Sequence, residues 1–276
     1  MTNAVEAHYD LYAQREWERL ERHRTEFAVT CRVLDEFLPP PPGRILDVGG
    51  GPGRYAIHLT RLHYHVTLVD LSPLSLELAL AKAAQEGMYL PPPLRADATA
   101  LPAEYDALFD AVLLMGPLYH LMALEDRLAA LREAYRVLRP GGLLFAAFIT
   151  RFAPLRDVAT HSPQWVLEHP HRYHRLLHDG QNPAREDSTF PDAYFAHPDE
   201  IAPLIAAAGF QLEHIQGCEG LLAGHEEAVN ATEGELWAAW VELNYHVGRD
   251  PSLRGAADHL LAVAAKPVPS PNQAES

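Results

Sequence analysis

The run Ile45-Leu46-Asp47-Val48-Gly49-Gly50-Gly51-Pro52-Gly53 is apolar, ends in an acid and then breaks into glycine. Glycine has no Cβ and adopts positive φ readily, so such a loop lets backbone N–H groups approach a bound ligand closely. The chemistry implied is the cradling of a nucleotide-like cofactor. Two overlapping patterns compete for these residues. Gly51-x-Gly53-x-x-Ala56, with Asp70 about 20 residues further on, fits a dinucleotide fingerprint and would make the chain an NAD-dependent oxidoreductase. Asp47-x-Gly49-x-Gly51-x-Gly53 starts earlier and has company downstream. Val66-Thr67-Leu68-Val69-Asp70-Leu71-Ser72 ends a second apolar run in an acid, Ala96-Asp97-Ala98 supplies a third, and Leu138-Arg139-Pro140-Gly141-Gly142 precedes a further apolar run.

In this second form the sequence resembles the class I S-adenosylmethionine-dependent methyltransferases. The specific motifs cover about residues 44–150, and residues 197–266 follow by pattern only. The resemblance implies a Rossmann-like α/β fold, doubly wound around a mostly parallel seven-stranded sheet whose last two strands form an antiparallel hairpin. It also implies cofactor contacts. The loop of Gly49, Gly50, Gly51 and Gly53, opened by Asp47, would pass under the amino-acid portion of S-adenosylmethionine. Asp70, followed by Leu71, would take both ribose hydroxyls, because a carboxylate accepts two parallel hydrogen bonds. Asp97 and Ala98 would meet the adenine, and Met115 the amino-acid portion. The arm Tyr9-Asp10-x-Tyr12-Ala13-x-x-Glu16-Trp17-x-Arg19 would fold over the cofactor, with Tyr12 near the sulfonium and Arg19 near the carboxylate.

Methyl transfer from a sulfonium is an in-line displacement at a carbon already activated, so the protein must align the nucleophile, exclude water and, where needed, remove a proton. Gly116-Pro117-Leu118-Tyr119-His120-Leu121 resembles a loop of a bacterial branch acting on small molecules and puts Tyr119 and His120 beside the expected methyl. His120, with an ordinary pKa near 6.5, could accept the acceptor's proton. The products would be a methylated O, N or S atom and S-adenosylhomocysteine. A non-catalytic protein that binds the same cofactor is the third alternative.

The rest of the chain must position these residues. At 276 residues it can bury a large core and exceeds one minimal domain. A net charge of −15 lacks the Lys/Arg footprint of a nucleic-acid binder, which favours a small acceptor. Cys31 and Cys218 form neither a framework nor a Cys-x-x-Cys pair, and no leader or membrane-length apolar run is seen, so a cytoplasmic protein is expected. Oligomeric state is left open by the sequence.

Trp17, Leu20, Phe27, Cys31, Leu34 and Leu38 predict one amphipathic helix stopping at Pro39–Pro42, so residues 1–42 read as an N-terminal helical arm. Strand and helix signals alternate over 43–150, the cofactor-binding core. Residues 151–196 lose that rhythm and read as an insertion or substrate lid; 197–266 complete the sheet with a helical insert, and 267–276 read as a disordered tail. His174 and His178 in the insertion have the spacing of paired metal ligands, but no partner completes a site and none is expected. Trp237, Trp240, Tyr245 and His246 predict core or pocket wall.

Overall fold

The computed structural model describes residues 4–183 and 191–269, so part of the predicted insertion (184–190) and most of the predicted tail (270–276) lie outside the described residues. Strands β1 (Arg44–Val48), β2 (His65–Asp70), β3 (Leu94–Arg95), β4 (Phe109–Leu114) and β5 (Leu138–Ile149) run parallel in the order β3-β2-β1-β4-β5. A two-stranded ribbon, β6 (Gln181–Asn182) and β7 (Ala193–Tyr194), stands apart. β9 (His259–Ala265) then joins β5 antiparallel, and β8 (Gln211–Gly217) pairs antiparallel with β9, closing the seven-stranded sheet. The fold is the doubly wound α/β sheet expected from the strand–helix alternation.

The inner strands are apolar on both faces because helices cover both. Leu46, Val48, Val112, Leu114, Leu144 and Ala146 face α5 (Leu124–Val137) and α9 (Pro198–Ala207), where Leu131, Ile201 and Ile205 complete one core. Ile45, Leu113 and Phe145 point the other way, into a core shared with α2 (Arg24–Phe37), α3 (Arg54–Arg61), α4 (Pro73–Gln85) and Tyr245 of α11 (Gly234–Val247). Alternation with a period of two along each strand thus feeds two cores, as buried parallel strands require.

Three elements differ from the sequence reading. The arm is two helices, α1 (Ala4–Arg22) and α2, because His23 leaves helical geometry at φ −97°, ψ 60°. Trp17 still joins Val29 and Val33 in one core, now across a bend. The insertion is largely helical, with α6 (Ala153–His161), α7 (Trp165–Glu168) and α8 (Pro170–Asp179) ahead of the ribbon. Its helices are hard to read in the sequence because they are short and bury little beyond Leu176, and the apolar face of α8, Tyr173, Leu176 and Leu177, spans barely one turn. β5 begins at Leu138, so Pro140-Gly141-Gly142 lies within the strand, and the ladder to β4 shifts register there. α10 (Glu226–Asn230) precedes α11, and Gly209, at φ 92°, ends α9 as expected. Among the described residues no helix is long and apolar enough to cross a membrane.

The chain leaves β1 toward β2 on one side and β4 lies on the other, so the loops after β1 and β4 diverge and open a crevice at their carboxyl ends. The core beneath it is tightly packed: Phe145 is fully buried. Phe145→Ala is expected to lower unfolding stability by about 3–5 kcal/mol in a urea titration; a loss below about 1 kcal/mol would mean that the sheet centre collapses around the cavity.

Candidate functional site

A cavity of about 380 Å³ occupies that crevice, roofed by α1. Its floor is the β1–α3 loop. Gly49, Gly51 and Gly53 all have positive φ (67°, 53° and 77°), a path that L side chains adopt at a cost. Gly49 and Gly50 both donate to the carbonyl of Val69, at 2.7 and 3.3 Å, which draws the loop toward the end of β2. A Cβ on Gly49 would lie 2.6 Å from the Pro117 ring, and one on Gly50 would lie 2.5 Å from Asp47 Oδ2. A Cβ on Gly51 would meet nothing within 4 Å. Gly53 does not line the cavity; it begins α3 in the left-handed region, packed against Ala79.

Three acids from the ends of β1, β2 and β3 face the same space. Asp70 Oδ2 accepts the Gly51 N–H and Oδ1 the Ser72 N–H, both at 2.8 Å. Ser72 itself caps α4, accepting the Ser75 N–H at 3.0 Å, so Asp70 is released from capping. Burial raises the Asp70 pKa, opposed by those backbone donors. Asp47 is deeper. Its Oδ2 is buried without a hydrogen-bond partner, and burial, helped by the Asp70 charge, pushes its pKa up to about 7. Asp97 spends Oδ1 on the Thr99 N–H and hydroxyl, each at 2.8 Å. Leu71, Ala98 and Met115 line the wall as well.

At the other end, the short turn after β4 carries Tyr119 and His120. Tyr119 is buried, its ring centroid 4.7 Å from that of His120. His120 Nε2 lies 2.7 Å from the Tyr9 hydroxyl and Nδ1 lies 3.3 Å from the Asp192 carbonyl oxygen. A carbonyl can only accept, so Nδ1 carries the proton and Nε2 accepts from Tyr9. Burial drives the His120 pKa down to about 4, and it drives the Tyr9 phenol well up, so both are neutral near pH 7.

Arg19 also reaches the cavity, its Nε 2.7 Å from Glu16 and Nη1 2.5 Å from Glu26. Tyr12 does not line it; its ring packs against His8 and Arg15 of its own helix. The arm presents Tyr9 instead, three positions earlier. Sequence reading also missed Glu16, Arg54, Tyr55, Asp126 and Asp192. Tyr9 and Glu16 are one heptad apart, a signal that could have marked the inward face. Trp237, Trp240, Tyr245 and His246 are not among the lining residues; Tyr245 is core. The insertion histidines do not gather. Among the described residues, the group that brings three potential metal-ligand atoms together is Glu26, Glu219 and His259.

Comparison with known proteins agrees with this fold. The methyltransferase domain family matches residues 45–142. A ubiquinone biosynthesis O-methyltransferase of Xylella fastidiosa is 30% identical over 189 residues, 68% of this chain and 69% of the relative. Its counterpart in Xanthomonas axonopodis pv. citri is 29% identical over 189 residues, covering 68% and 71%. Among solved structures, a possible histamine N-methyltransferase of Thermotoga maritima superposes with TM-score 0.59 at 22% identity, over 94% of this chain and 99% of that one. A 1,6-didemethyltoxoflavin-N1-methyltransferase of Burkholderia thailandensis, with S-adenosylhomocysteine bound, gives 0.57 at 16% identity over 95% and 87%. The family match sets aside the dinucleotide reading of Gly51, Gly53 and Ala56.

Gly49 and Gly87 share φ 67°, but only Gly49 is crowded. Alanine at either position therefore meets the same backbone strain. Gly49→Ala is expected to cost about 1–3 kcal/mol more than Gly87→Ala in parallel denaturation curves, from the Pro117 clash. Equal losses would mean that the β4 turn yields freely.

Proposed function

This chain belongs to the class I S-adenosylmethionine-dependent methyltransferases, and we propose that it methylates an oxygen of a small phenolic or catechol-type acceptor, with His120 as general base. When bound, S-adenosylmethionine supplies a methyl group made electrophilic by a positive sulfur. The residues of the cavity fit that group. Asp70, with Leu71, holds the ribose hydroxyls and Asp97, with Ala98, the adenine amino group. Gly49, Gly50 and Gly51 leave room for the amino-acid portion beside Met115, Gly53 shaping the loop from outside the cavity. The unpartnered Asp47 Oδ2 supports this reading, because a buried acceptor without a donor is costly until an ammonium or a water satisfies it. Arg19 serves the carboxylate. Tyr9 takes the arm position near the sulfonium that the sequence assigns to Tyr12.

The observation that carries the choice of oxygen is the neutral His120 at the far end of the same cavity. A neutral amine attacks with its own lone pair. A phenol, with a pKa near 10, gains most from losing its proton as it attacks. His120 Nε2 carries the lone pair for that proton, Tyr9 occupies it until an acceptor hydroxyl takes its place, and the Asp192 carbonyl fixes the tautomer. Tyr119 walls the imidazole and excludes water. The O-methyltransferase relatives point the same way. The Gly116–Leu121 loop supports a place in the bacterial small-molecule branch.

Calorimetric titration with S-adenosylhomocysteine and NAD in parallel tests the cofactor end: the first is expected to bind and the second not. Asp70→Asn should weaken S-adenosylhomocysteine binding about 10–100-fold; unchanged affinity would remove Asp70 from the ribose site. A screen of catechols and phenols with labelled cofactor tests the acceptor end. His120→Ala should then lower turnover by about 10²–10⁴-fold while cofactor affinity is kept. The base works in its neutral form, so turnover should rise as pH climbs through about 4 and stay flat near neutrality. Tyr9→Phe removes a donor that favours neutral His120, which should move that acid limb upward; a limb that stays put would detach Tyr9 from the base.

A further inference from the structure

Behind the cavity wall lies a buried group of charges that the reaction does not use. Glu26 of α2 is 7% exposed, Glu219, just after β8, is 1% exposed, and His259 opens β9. Glu219 grips His259 twice, Oε1 2.5 Å from Nδ1 and Oε2 accepting the His259 backbone N–H at 2.7 Å. His259 Nδ1 lies 3.8 Å from Glu26 Oε2. That same oxygen takes Arg19 Nη1 at 2.5 Å, and Glu26 Oε1 takes Nη2 at 3.3 Å. The order is anion, cation, anion, cation, from the sheet edge to the cavity.

A metal ion is the obvious alternative for two carboxylates and an imidazole. Here every carboxylate oxygen already has an N–H donor, and Arg19 and His259 balance the two negative charges. A metal would have to displace a guanidinium from a bidentate partner.

We propose that Glu26, His259 and Glu219 are positioning residues for Arg19, a buried chain of alternating charge that holds its guanidinium ready for the carboxylate of the cofactor's amino-acid portion. The inference rests on the cofactor reading above. A guanidinium has five N–H donors. One goes to Glu16 and two to Glu26, leaving two for a ligand. Glu26 competes with that ligand for the same cation, and protonated His259 offsets the competition by drawing on the shared Oε2. Burial alone would depress the His259 pKa, but the carboxylates of Glu26 and Glu219 outweigh it and hold it at about 9, against a small opposing effect of Arg19. The other charged groups facing the cluster are His23, near Glu26, and Asp258, near Glu219. Losing the His259 proton would add one net negative charge behind the guanidinium that receives the carboxylate.

Two probes separate this role from a scaffolding one. S-Adenosylhomocysteine carries the carboxylate, and 5′-methylthioadenosine shares the nucleoside and lacks the amino-acid portion. His259→Gln is expected to weaken the first about tenfold and to leave the second within about twofold. Adding Glu219→Gln to that variant removes the excess negative charge and should restore the first toward its original affinity. In the unaltered protein, the His259 imidazole resonances followed by NMR should report a higher pKa with S-adenosylhomocysteine and no change with 5′-methylthioadenosine, since linkage is reciprocal. Equal weakening of both probes, no weakening, or an unmoved His259 pKa would overturn the proposal. So would stabilisation of the protein by zinc that is lost in His259→Gln, which would make the cluster a metal site. Failure of both probes to bind the unaltered protein would overturn the cofactor reading itself.

Discussion

Everything at the active end of this fold depends on a place where no side chain fits. The loop after β1 and the turn after β4 touch backbone to backbone: a Cβ on Gly116 would sit 2.8 Å from the Gly49 carbonyl oxygen, and one on Gly49 would strike Pro117. The contact is possible because Gly49 takes positive φ and is drawn to β2 through the Val69 carbonyl. It puts the acid end of the cavity and the His120 end within one ligand's reach. A side chain there would push the turn carrying Tyr119 and His120 away from the loop and separate the acids from His120.

The cavity tolerates a high density of carboxylates by treating each differently. Burial raises the Asp70 pKa, and two backbone N–H groups oppose that rise. Glu26 is buried too, yet Arg19 and His259 pull its pKa down to about 2. Asp47 has neither compensation for Oδ2 and titrates near neutrality. A buried charge without a partner either finds one or takes a proton. The carboxylate left incomplete is therefore the one at which an incoming cation gains most, whereas the ion-paired Glu26 holds Arg19 in place.

What the sequence made legible was local. Asp47, Asp70, Asp97 and the glycines announce themselves because each ends a short apolar run, and a parallel sheet puts those ends side by side. The arm was misjudged for a physical reason. Its apolar stripe survives across Trp17 and Val29, but the chain bends at His23, and Tyr9 rather than Tyr12 lines the cavity. The Glu26–His259–Glu219 cluster was invisible for another: its members come from α2, the loop after β8 and the start of β9. No periodicity connects residues whose meeting is decided by where an antiparallel pair docks on the sheet. The insertion hid its helices because each is only four to ten residues long, too short for an apolar face to repeat over several turns.

The arm joins these two kinds of structure, and its contacts change in strength along its length. Near the start of α1, Glu6 pairs with Arg95 and Asp10 accepts from Ser72 Oγ at 2.6 Å, polar contacts at the rim of the cavity. Near its end, Trp17 is 7% exposed within the core and Arg19 is locked to Glu26. Each end has a buried carboxylate in an ion pair, Glu6 at 6% and Glu26 at 7% exposed, and what the far end adds is the buried Trp17; losing such a side chain costs about 3–5 kcal/mol. The apolar anchor of the arm therefore lies at Trp17, toward the end that also carries Arg19. The arm is held over the cavity by apolar packing at the Trp17 end and by a hydrogen bond at the Tyr9–His120 end.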